Sequence, residues 1–278
     1  MSKTIVTHMS PDFDAITSVW LVHRFMKRFE DASVAFVPAG NTLDNEEVDS
    51  NPDIIHVDTG MGKFDHHQTS EETCASRLIL DELIKSYVTN KEVKEALFRM
   101  VAITLDDDHF RDIYRDQPDA DIYDFLPSSI IDGAHSIFKD DSQIVYFIEQ
   151  LLDCVFKSFI YKIRAEKELL KGYEFQTVWG RTIAIESDNR ETSVLAQKRG
   201  VSMVISKSSN GQVRVKTRPD VKQDLKPMYE KVLEQDPNAT WFYHVSGHML
   251  LNGSSKNPDM IPSKLTIKQL IVLAKDIS

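Results

Sequence analysis

The first half of the chain alternates between short apolar runs and longer stretches with helical spacing. Residues 4–7 are mostly β-branched and predict a strand, whereas from residue 15 to about 29 the apolar positions recur along one face of a helix. Further strands are predicted at residues 33–37 and 53–57. Strands and helices in this order, with polar turns after the strands, indicate a parallel α/β sheet, which collects ligands at the carboxyl ends of its strands.

Helices dominate the middle of the chain. The spacing of apolar residues predicts helices at residues 75–87 and 91–103, followed by an Asp-rich stretch that interrupts the pattern. After a mixed region, one long helix is predicted from Ser142 to about Leu170, ending at Gly172. We interpret this helix as the connection between two domains.

The remaining residues predict a second, smaller α/β unit, in which Asn210-Gly211 between two β-branched runs is a strong hairpin signal. Its predicted strands occupy residues 175–178, 182–185, 201–206 and 213–217, and its predicted helices occupy residues 191–199, 221–234 and 266–277. The expected fold class is therefore α/β. It has a parallel-sheet N-terminal domain at residues 1–140, a connecting helix at 141–172 and a smaller α/β C-terminal domain at 173–278.

Composition narrows the class of protein. Hydrophobic residues make up 41% of the 278 residues, enough to bury a core, and no apolar run reaches the roughly 18–20 residues that span a bilayer. The first residues turn polar too early for a signal peptide, so a cytoplasmic protein without a membrane partner is expected. Cys74 and Cys154 form no CxxC pair, and both are expected to be reduced, buried thiols.

The net charge of −10 narrows the class of partner. Proteins that bind long duplex nucleic acid need Lys and Arg to displace counterions, so such a partner is not expected. A small phosphorylated substrate or a short oligonucleotide could still be held in a local basic pocket. A homodimer is compatible with the sequence, which leaves the oligomeric state open.

Candidate metal ligands cluster after the predicted strands of the first half. His8, Asp12 and Asp14 fall within seven residues on the turn between the first strand and its helix. Asp58 directly follows the strand at 53–57, the run Asp65-His66-His67 comes next, and Asp106 follows an apolar helix. Each motif alone has a plainer explanation: Asp12 or Asp14 as a helix N-cap, the histidines as surface or packing residues, and the Asp-rich stretch as a solvated loop. Their combination and order favour a metal site of mixed nitrogen and oxygen ligands.

These motifs resemble those of the DHH phosphoesterase superfamily, which is named for the run seen here as Asp65-His66-His67. The resemblance covers about residues 4–110. The superfamily includes RecJ-type exonucleases, oligoribonucleases, cyclic-dinucleotide phosphodiesterases and manganese-dependent pyrophosphatases. It implies two divalent metal ions, Mn²⁺ in the first place, with Mg²⁺ or Co²⁺ also suited to the ligands. The direct Asp-His-His-Gln run, with Gln68, also occurs in a related group of exonuclease-like proteins.

The resemblance also implies a role for each matched residue. His8 and Asp12 would bind one metal, Asp14, His66 and Asp106 the other, and Asp58 would bridge them. His67 would contact the scissile phosphate or protonate the leaving group, and Asp65 would orient a histidine. Asp107 and Asp108 are adjacent alternatives for the fourth motif, and Asp106 is preferred because Phe110 follows it at the family's spacing.

In the second half, residues 246–253 resemble the superfamily's glycine-rich substrate-binding stretch of the DHHA1-like domain. Gly247, His248 and Gly253 match that stretch, whereas Ser246 and Leu251 depart from it; an ordinary glycine-containing loop is the alternative. Alternation along the strand at 213–217 is expected to place Arg214, Lys216 and Arg218 on one face, which could bind phosphate or be solvated. Arg214 and Arg218 are the preferred substrate ligands, and Ser254, Ser255 and Lys256 are weaker candidates.

Together these features favour a metal-dependent phosphohydrolase that cleaves phosphodiester bonds in short oligonucleotides or dinucleotides through a water activated by two metals. One alternative is a manganese-type inorganic pyrophosphatase or short-polyphosphate hydrolase. Another is a non-catalytic binding member of the superfamily. An aromatic side chain such as Phe242 or Tyr243 beside the basic residues would favour a base-bearing substrate, and a cluster of cations alone would favour pyrophosphate.

Overall fold

A computed structural model of the chain describes residues 3–253, 257 and 259–277. The chain divides into two compact units, Met1–Ile160 and Tyr161–Ser278. The boundary falls inside one long helix, Asp141–Leu169 (α5), so the expected connecting helix contributes its first two-thirds to the first unit and its last turns to the second. Each unit is an α/β assembly with its own sheet, as the expected fold class requires.

The first unit contains the predicted parallel sheet. Its strands are Thr4–His8 (β1), Ser33–Val37 (β2) and Ile54–His56 (β3), arranged in the order β2-β1-β3 with both pairings parallel. Because β1 lies in the centre, its carboxyl end is flanked on both sides by the carboxyl ends of its neighbours. His8 therefore lies at the sheet edge where ligands of parallel sheets gather.

Five helices surround this sheet. They are Phe13–Phe25 (α1), Ala75–Ser86 (α2), Lys91–Asp108 (α3), Pro127–Ile137 (α4) and α5. Short 3-10 turns occur at Lys27–Phe29, Leu43–Asn45, Arg111–Tyr114 and Asp121–Phe125. Helix α3 runs five residues beyond its predicted end at 103, so the Asp-rich stretch forms its last turn instead of an interruption.

Helix α1 holds the core of the first unit together. Every residue from Phe13 to Val22 is buried, and the helix packs against α2 and α3 on one side and α5 on another. Trp20 is fully buried, its indole Nε1 donates a hydrogen bond of 2.9 Å to Asp153 of α5, and its ring meets Phe25 and Phe156 edge to face. Full burial of one such apolar side chain contributes roughly 1.5–3 kcal/mol to stability. The loop that follows β1 is thereby attached to a rigid helix.

The second unit has a six-stranded mixed sheet in the order β4-β5-β6-β7-β9-β8. Its strands are Tyr173–Thr177 (β4), Gly180–Glu186 (β5), Met203–Lys207 (β6), Val213–Thr217 (β7), Phe242–Tyr243 (β8) and Met249–Asn252 (β9). Among the described strands of this sheet only β5 and β6 pair in parallel, and the helix between them is Arg190–Lys198 (α6). The remaining helices are Lys226–Gln235 (α7) and Ile267–Lys275 (α8).

The two faces of this sheet are covered differently. Val213 and Val215 of β7 pack into the core formed with α7 and α8. The opposite face carries a smaller cluster around Ile183 and Val204, which includes Ala196 of α6. Arg214 and Lys216 alternate with the core residues and so lie on this second face.

The two cysteines differ in their exposure to solvent. Cys74 is buried, as expected, but Cys154 is exposed, which corrects the expectation for that thiol: it lies on a solvent-facing position of α5.

No helix in the described ranges is long and apolar enough to cross a bilayer.

A buried ion pair links α1 to α5 in the first unit. His23 Nδ1 lies 2.7 Å from Glu149 Oε1 and its Nε2 lies 3.1 Å from the carbonyl oxygen of Ala32. Since both ring nitrogens face acceptors, the doubly protonated imidazolium is the form that donates to both. Burial lowers the pKa of His23, but the hydrogen bond and charge of Glu149 outweigh it, and the pKa is raised above its ordinary 6.5.

We therefore expect Glu149→Gln to lower the free energy of unfolding by about 1.5–3 kcal/mol at pH 6, because a charged hydrogen bond is lost from a buried site. A raised folded-state pKa stabilises the protein fully below the unfolded pKa and loses that contribution as pH rises through the folded value. Urea unfolding of the native chain between pH 6 and 9 should show this loss, and the variant should lack it. Asp81→Asn, which breaks the exposed Arg77–Asp81 pair, serves as the control and should change little. Equal pH profiles for Glu149→Gln and the native chain would contradict the assignment.

Candidate metal centre

The carboxylate of Asp58 lies between two imidazole rings. Its Oδ2 is 3.3 Å from His8 Nε2 and its Oδ1 is 3.4 Å from His66 Nε2, and the Asp58 side chain is only 2% exposed. Backbone geometry aims it there: Val57 still donates to Val6 of β1, and Asp58 then turns with φ of 55°, its N–H donating to Phe64. Asp is among the few non-glycine residues that adopt this left-handed conformation readily.

His8 and Asp12 form the first group with Asp58. The Nδ1 of His8 lies 2.9 Å from the carbonyl oxygen of Met9, so this nitrogen carries the donated proton and Nε2 faces the carboxylates. Asp12 Oδ1 accepts from the Ala15 N–H as the N-cap of α1, while its Oδ2 lies 3.8 Å from His8 Nε2. Asp12 is thus an N-cap and a member of the group, so the two interpretations of this residue do not exclude each other.

Asp14, His66 and Asp108 form the second group. Asp14 is buried, and its two oxygens accept from the N–H groups of Ala75 and Ser76 at 2.7 and 3.0 Å, at the first turn of α2. Asp108 Oδ1 lies 3.8 Å from His66 Nε2. The candidate ligand atoms of this group all lie within 4.8 Å of one another, close enough to share one cation.

The structure brings Asp108, and not the preferred Asp106, into a group of candidate ligands. Asp106 is outside the groups found among the described residues; its side chain is 55% exposed and lies 3.2 Å from Arg111. Successive helical residues turn by 100°, so Asp106 and Asp108 point in opposite directions. Asp108 lies one turn after the buried Thr104 and therefore on the face that packs inward. That i, i+4 relation was visible in the sequence and would have selected Asp108.

His67 belongs to a third group, with Asp58 and His66, and its ring is held by Asp65. Asp65 is buried, and its Oδ1 lies 2.7 Å from His67 Nδ1 while its Oδ2 accepts from the Met61 N–H. The His67 side chain is 54% exposed and also lies within reach of Asp58, 3.8 Å away. The expected orienting role of Asp65 is compatible with this contact, because a carboxylate on Nδ1 leaves Nε2 turned outward.

Burial and the charges of neighbouring side chains shift the pKa values of the cluster away from their ordinary values. Burial alone would raise the pKa of Asp58, but the neighbouring His66 and His8 hold it down at about 2. Burial and the Asp58 charge raise the pKa of Asp14 to about 7. Burial lowers the pKa of His8 but contact with Asp58 raises it to about 9, and the same carboxylate raises the pKa of His66 to about 9. Several carboxylates are thus gathered beyond what two imidazolium ions neutralise, which favours a site for cations.

The donor set fits divalent metal ions. His66 Nε2 and Asp58 Oδ1 are buried and form no hydrogen bond within the described part of the chain, although such atoms are costly to leave without a partner. Carboxylate oxygens with imidazole nitrogens, and no thiolate, suit Mn²⁺, Mg²⁺ and related ions. The Asp and His groups of the first unit are therefore able to bind metal ions.

The candidate substrate residues of the second unit do not lie together. Arg214 is half-buried in β7, whereas Arg218 follows the end of that strand, roughly 13 Å farther along at 3.3 Å per residue. The Arg218 guanidinium forms a bidentate pair with Asp220, at 2.9 and 2.6 Å. Arg214 and Lys216 lie within β7, and Arg218 directly follows it, with its N–H donating to the carbonyl oxygen of Ser202.

The glycine-rich stretch forms the turn before β9 and the end of that strand. Gly247 has φ of 75°, and a Cβ there would lie 2.8 Å from the Cβ of Asp224, so only glycine fits. His248 Nδ1 is 2.9 Å from the Thr217 hydroxyl, close to Arg218 in sequence. Gly253 follows β9 with φ of 86°, and a Cβ would collide with Met260. Ser254, Ser255 and Lys256 lie outside the described residues.

Comparisons with known proteins identify no family for this chain. No protein-family model matches the chain, and no curated protein matches it. Among solved structures, an uncharacterized protein from Helicobacter pylori G27 is matched over 100% of this chain and 99% of that chain, with 10% identity and a TM-score of 0.26. A likeness at this level carries no conclusion about fold or function.

The choice between the two aspartates can be tested by metal titration. We expect Asp108→Asn to weaken Mn²⁺ binding by at least about tenfold, because even an outer partner of a metal site is worth 10–100-fold. Asp106→Asn makes the same chemical change two residues away and should leave the affinity unchanged. Isothermal titration of both variants checks this. Weakening by the Asp106 variant alone would restore the sequence-based choice.

Proposed function

We propose that the chain is a metal-dependent phosphohydrolase of the DHH type, which uses two divalent metal ions, Mn²⁺ in the first place. The placement of the Asp58 carboxylate supports this most directly, since its two oxygens face two different imidazoles, each belonging to a separate group of ligands. A single buried cation site would need one such group. Asp58 belongs to the group of His8 and Asp12 and also to a group with His66 and His67. A carboxylate shared in this way suits two cations held close together.

The residues that would hold the cations divide between the two groups. His8 and Asp12 would hold one, Asp14, His66 and Asp108 the other, and Asp58 both. When bound, such a pair of ions supplies an activated water and neutralises charge that builds on phosphoryl oxygens. The chain supplies the spacing, because Asp12 and Asp14 are fixed at helix N-termini and Asp58 is fixed by its backbone turn.

His67 would act on the substrate. Its ring is exposed enough to meet a phosphate ester, and Asp65 holds Nδ1 so that Nε2 can donate a proton to the leaving oxygen or a hydrogen bond to the phosphoryl group. No protein nucleophile is required by this arrangement.

We further propose a phosphodiester in a short oligonucleotide or a dinucleotide as the substrate. Phe242 of β8 is 54% exposed and pairs with Leu251, which in turn pairs with Arg214. Residues paired across strands share a sheet face, so an exposed aromatic ring and a cation lie on the same face, as a base and a phosphate would require. Tyr243 stacks on Tyr229 and is less suited to this role. The net charge of −10 disfavours a long polyanion.

The function is tested by phosphate-product release with Mn²⁺ from a dinucleotide, a five-residue oligonucleotide and pyrophosphate. We expect nucleoside monophosphate from the first two substrates. Asp58→Asn should reduce the rate by more than the roughly 10–100-fold that loss of an outer partner costs, because both metal groups lose their shared ligand. Asp106→Asn is the matched control and should retain activity.

Turnover of pyrophosphate alone would establish the pyrophosphatase alternative instead. Metal binding without turnover of any of the three would favour a non-catalytic binding protein. If the Asp58 variant keeps full activity and full metal content, the proposed two-metal site is wrong.

The role of His67 predicts a separate kinetic signature. His67→Asn should lower kcat by about 10²–10⁴-fold, the usual contribution of general acid catalysis, while Mn²⁺ affinity changes little. Asp65→Asn should lower kcat less, because the histidine remains present but loses the carboxylate that holds its ring. Rates measured with a substrate that has a good leaving group, such as a nitrophenyl ester, should be much less sensitive to His67→Asn. Equal loss with both substrates would remove the proton-donor role.

A further inference from the structure

A polar cavity lies wholly within the second unit, and none of the residues that line it belongs to the metal groups. It has a volume of about 70 Å³ and is bordered by the start of α6, the ends of β5 and β6, and Arg214 at the start of β7. On this measure one water needs about 10–15 Å³, so the cavity has room for several waters or for one small polar group. Its lining is mostly polar, with Ser187, Asn189, Ser193, Ser206 and Ser208 among the residues that face it.

Arg214 is a half-buried cation that borders the cavity together with one carboxylate, that of Asp188. It forms no ion pair with any described residue, and its pKa is lowered by burial and by the charge of Arg190, which also borders the cavity. A close carboxylate would act in the opposite direction. Lys216, next on the same sheet face, likewise has a pKa lowered by burial and by the charge of Arg214.

The carboxylates nearby are already occupied by neutral donors. Asp188 Oδ1 accepts from the N–H and the hydroxyl of Ser209, at 2.8 and 3.0 Å. Glu168 Oε2 accepts from the hydroxyls of Ser187 and Thr192. Neither makes a charge pair with Arg214 among the described residues, so the guanidinium stays available for an anion.

Ser193 provides an independent indication of a ligand. It is only 5% exposed, borders the cavity, and its hydroxyl forms no hydrogen bond with any other described residue. The hydroxyl borders the cavity, where it can bond to a group held there. Ser193 lies in the first turn of α6, a nine-residue helix whose N-terminal dipole end favours negative charge.

We propose that this cavity is a binding site for a phosphate group, with Arg214 and Ser193 as its principal ligands. The site is distinct from the Arg218, Gly247 and His248 region, which lies at the opposite end of β7. Arg214 supplies the planar fork that matches phosphate oxygens, Ser193 supplies a neutral donor, and the end of α6 adds a favourable field. The small volume restricts the group bound to the phosphate itself, either free or at the terminus of a larger molecule.

The experiment titrates the full chain with inorganic phosphate in the presence of EDTA, followed by calorimetry, with adenosine and adenosine 5′-monophosphate in parallel. We expect saturable binding of phosphate and of the monophosphate, and no binding of adenosine. Arg214→Gln should weaken phosphate binding about 10–100-fold, the value of a hydrogen bond to a charged group, and Ser193→Ala should weaken it less. Arg181→Gln removes the same charge from an exposed pair with Glu174 and should leave phosphate affinity unchanged.

Because EDTA removes divalent ions, this result is independent of the proposed metal chemistry, and Asp58→Asn should bind phosphate as the native chain does. Thermal melts of each variant show that the second unit is folded. Absence of saturable phosphate binding at millimolar concentration overturns the proposal. So does phosphate binding that the folded Arg214 and Ser193 variants retain in full, or weakening by Arg181→Gln equal to that of Arg214→Gln. Monophosphate binding without phosphate binding overturns it as well, since the nucleoside would then supply the affinity.

Discussion

The placement of Asp58 decides what the first unit can do. A carboxylate at 2% exposure is costly unless positive charge lies on both its oxygens, and here two imidazoles provide it. Each imidazole comes from a different element: His8 ends the central strand and His66 belongs to a loop after β3. The parallel sheet brings these elements together because the carboxyl ends of β1 and β3 meet at one edge. Without the left-handed turn at Asp58, its side chain would follow the strand's alternation and leave this position.

The other candidate ligands also serve the fold. Asp12 caps α1, and Asp14 accepts from the first amides of α2, so each carboxylate satisfies backbone donors that a helix start leaves open. Their positions are therefore set by helix packing before any ion binds, which is the preorganisation that a functional site needs. Because each of these aspartates bonds to a helix start and is also a candidate ligand, replacing either one affects stability and metal binding together. Asp58 and Asp108 separate the two effects better, because neither caps a helix.

Sequence reasoning succeeded where one local pattern determined the outcome. Strand–turn–helix at residues 4–25, the parallel sheet and the long helix after residue 140 follow from periodicity and turn chemistry, and the structure has all three. It failed where packing outweighed propensity. Three successive aspartates suggested a break, but the buried Thr104 carries α3 onward to Asp108, and that extension changes which carboxylate faces His66.

Burial, and not charge count, distinguishes the cations of the second unit. Arg218 is paired with Asp220 on the surface, where an exposed ion pair contributes little and leaves the guanidinium engaged. Arg214 has the same chemistry but is half-buried, it forms no ion pair with any described residue, and the hydroxyl of Ser193 borders the same cavity. The sequence pattern alone does not distinguish Arg214 from Arg218, because both occupy even-numbered positions in one run of alternating residues. The parallel β5–α6–β6 connection separates them: it places a helix start over one end of β7 and none over the other, so only Arg214 is both desolvated and close to donors that an anion can bond.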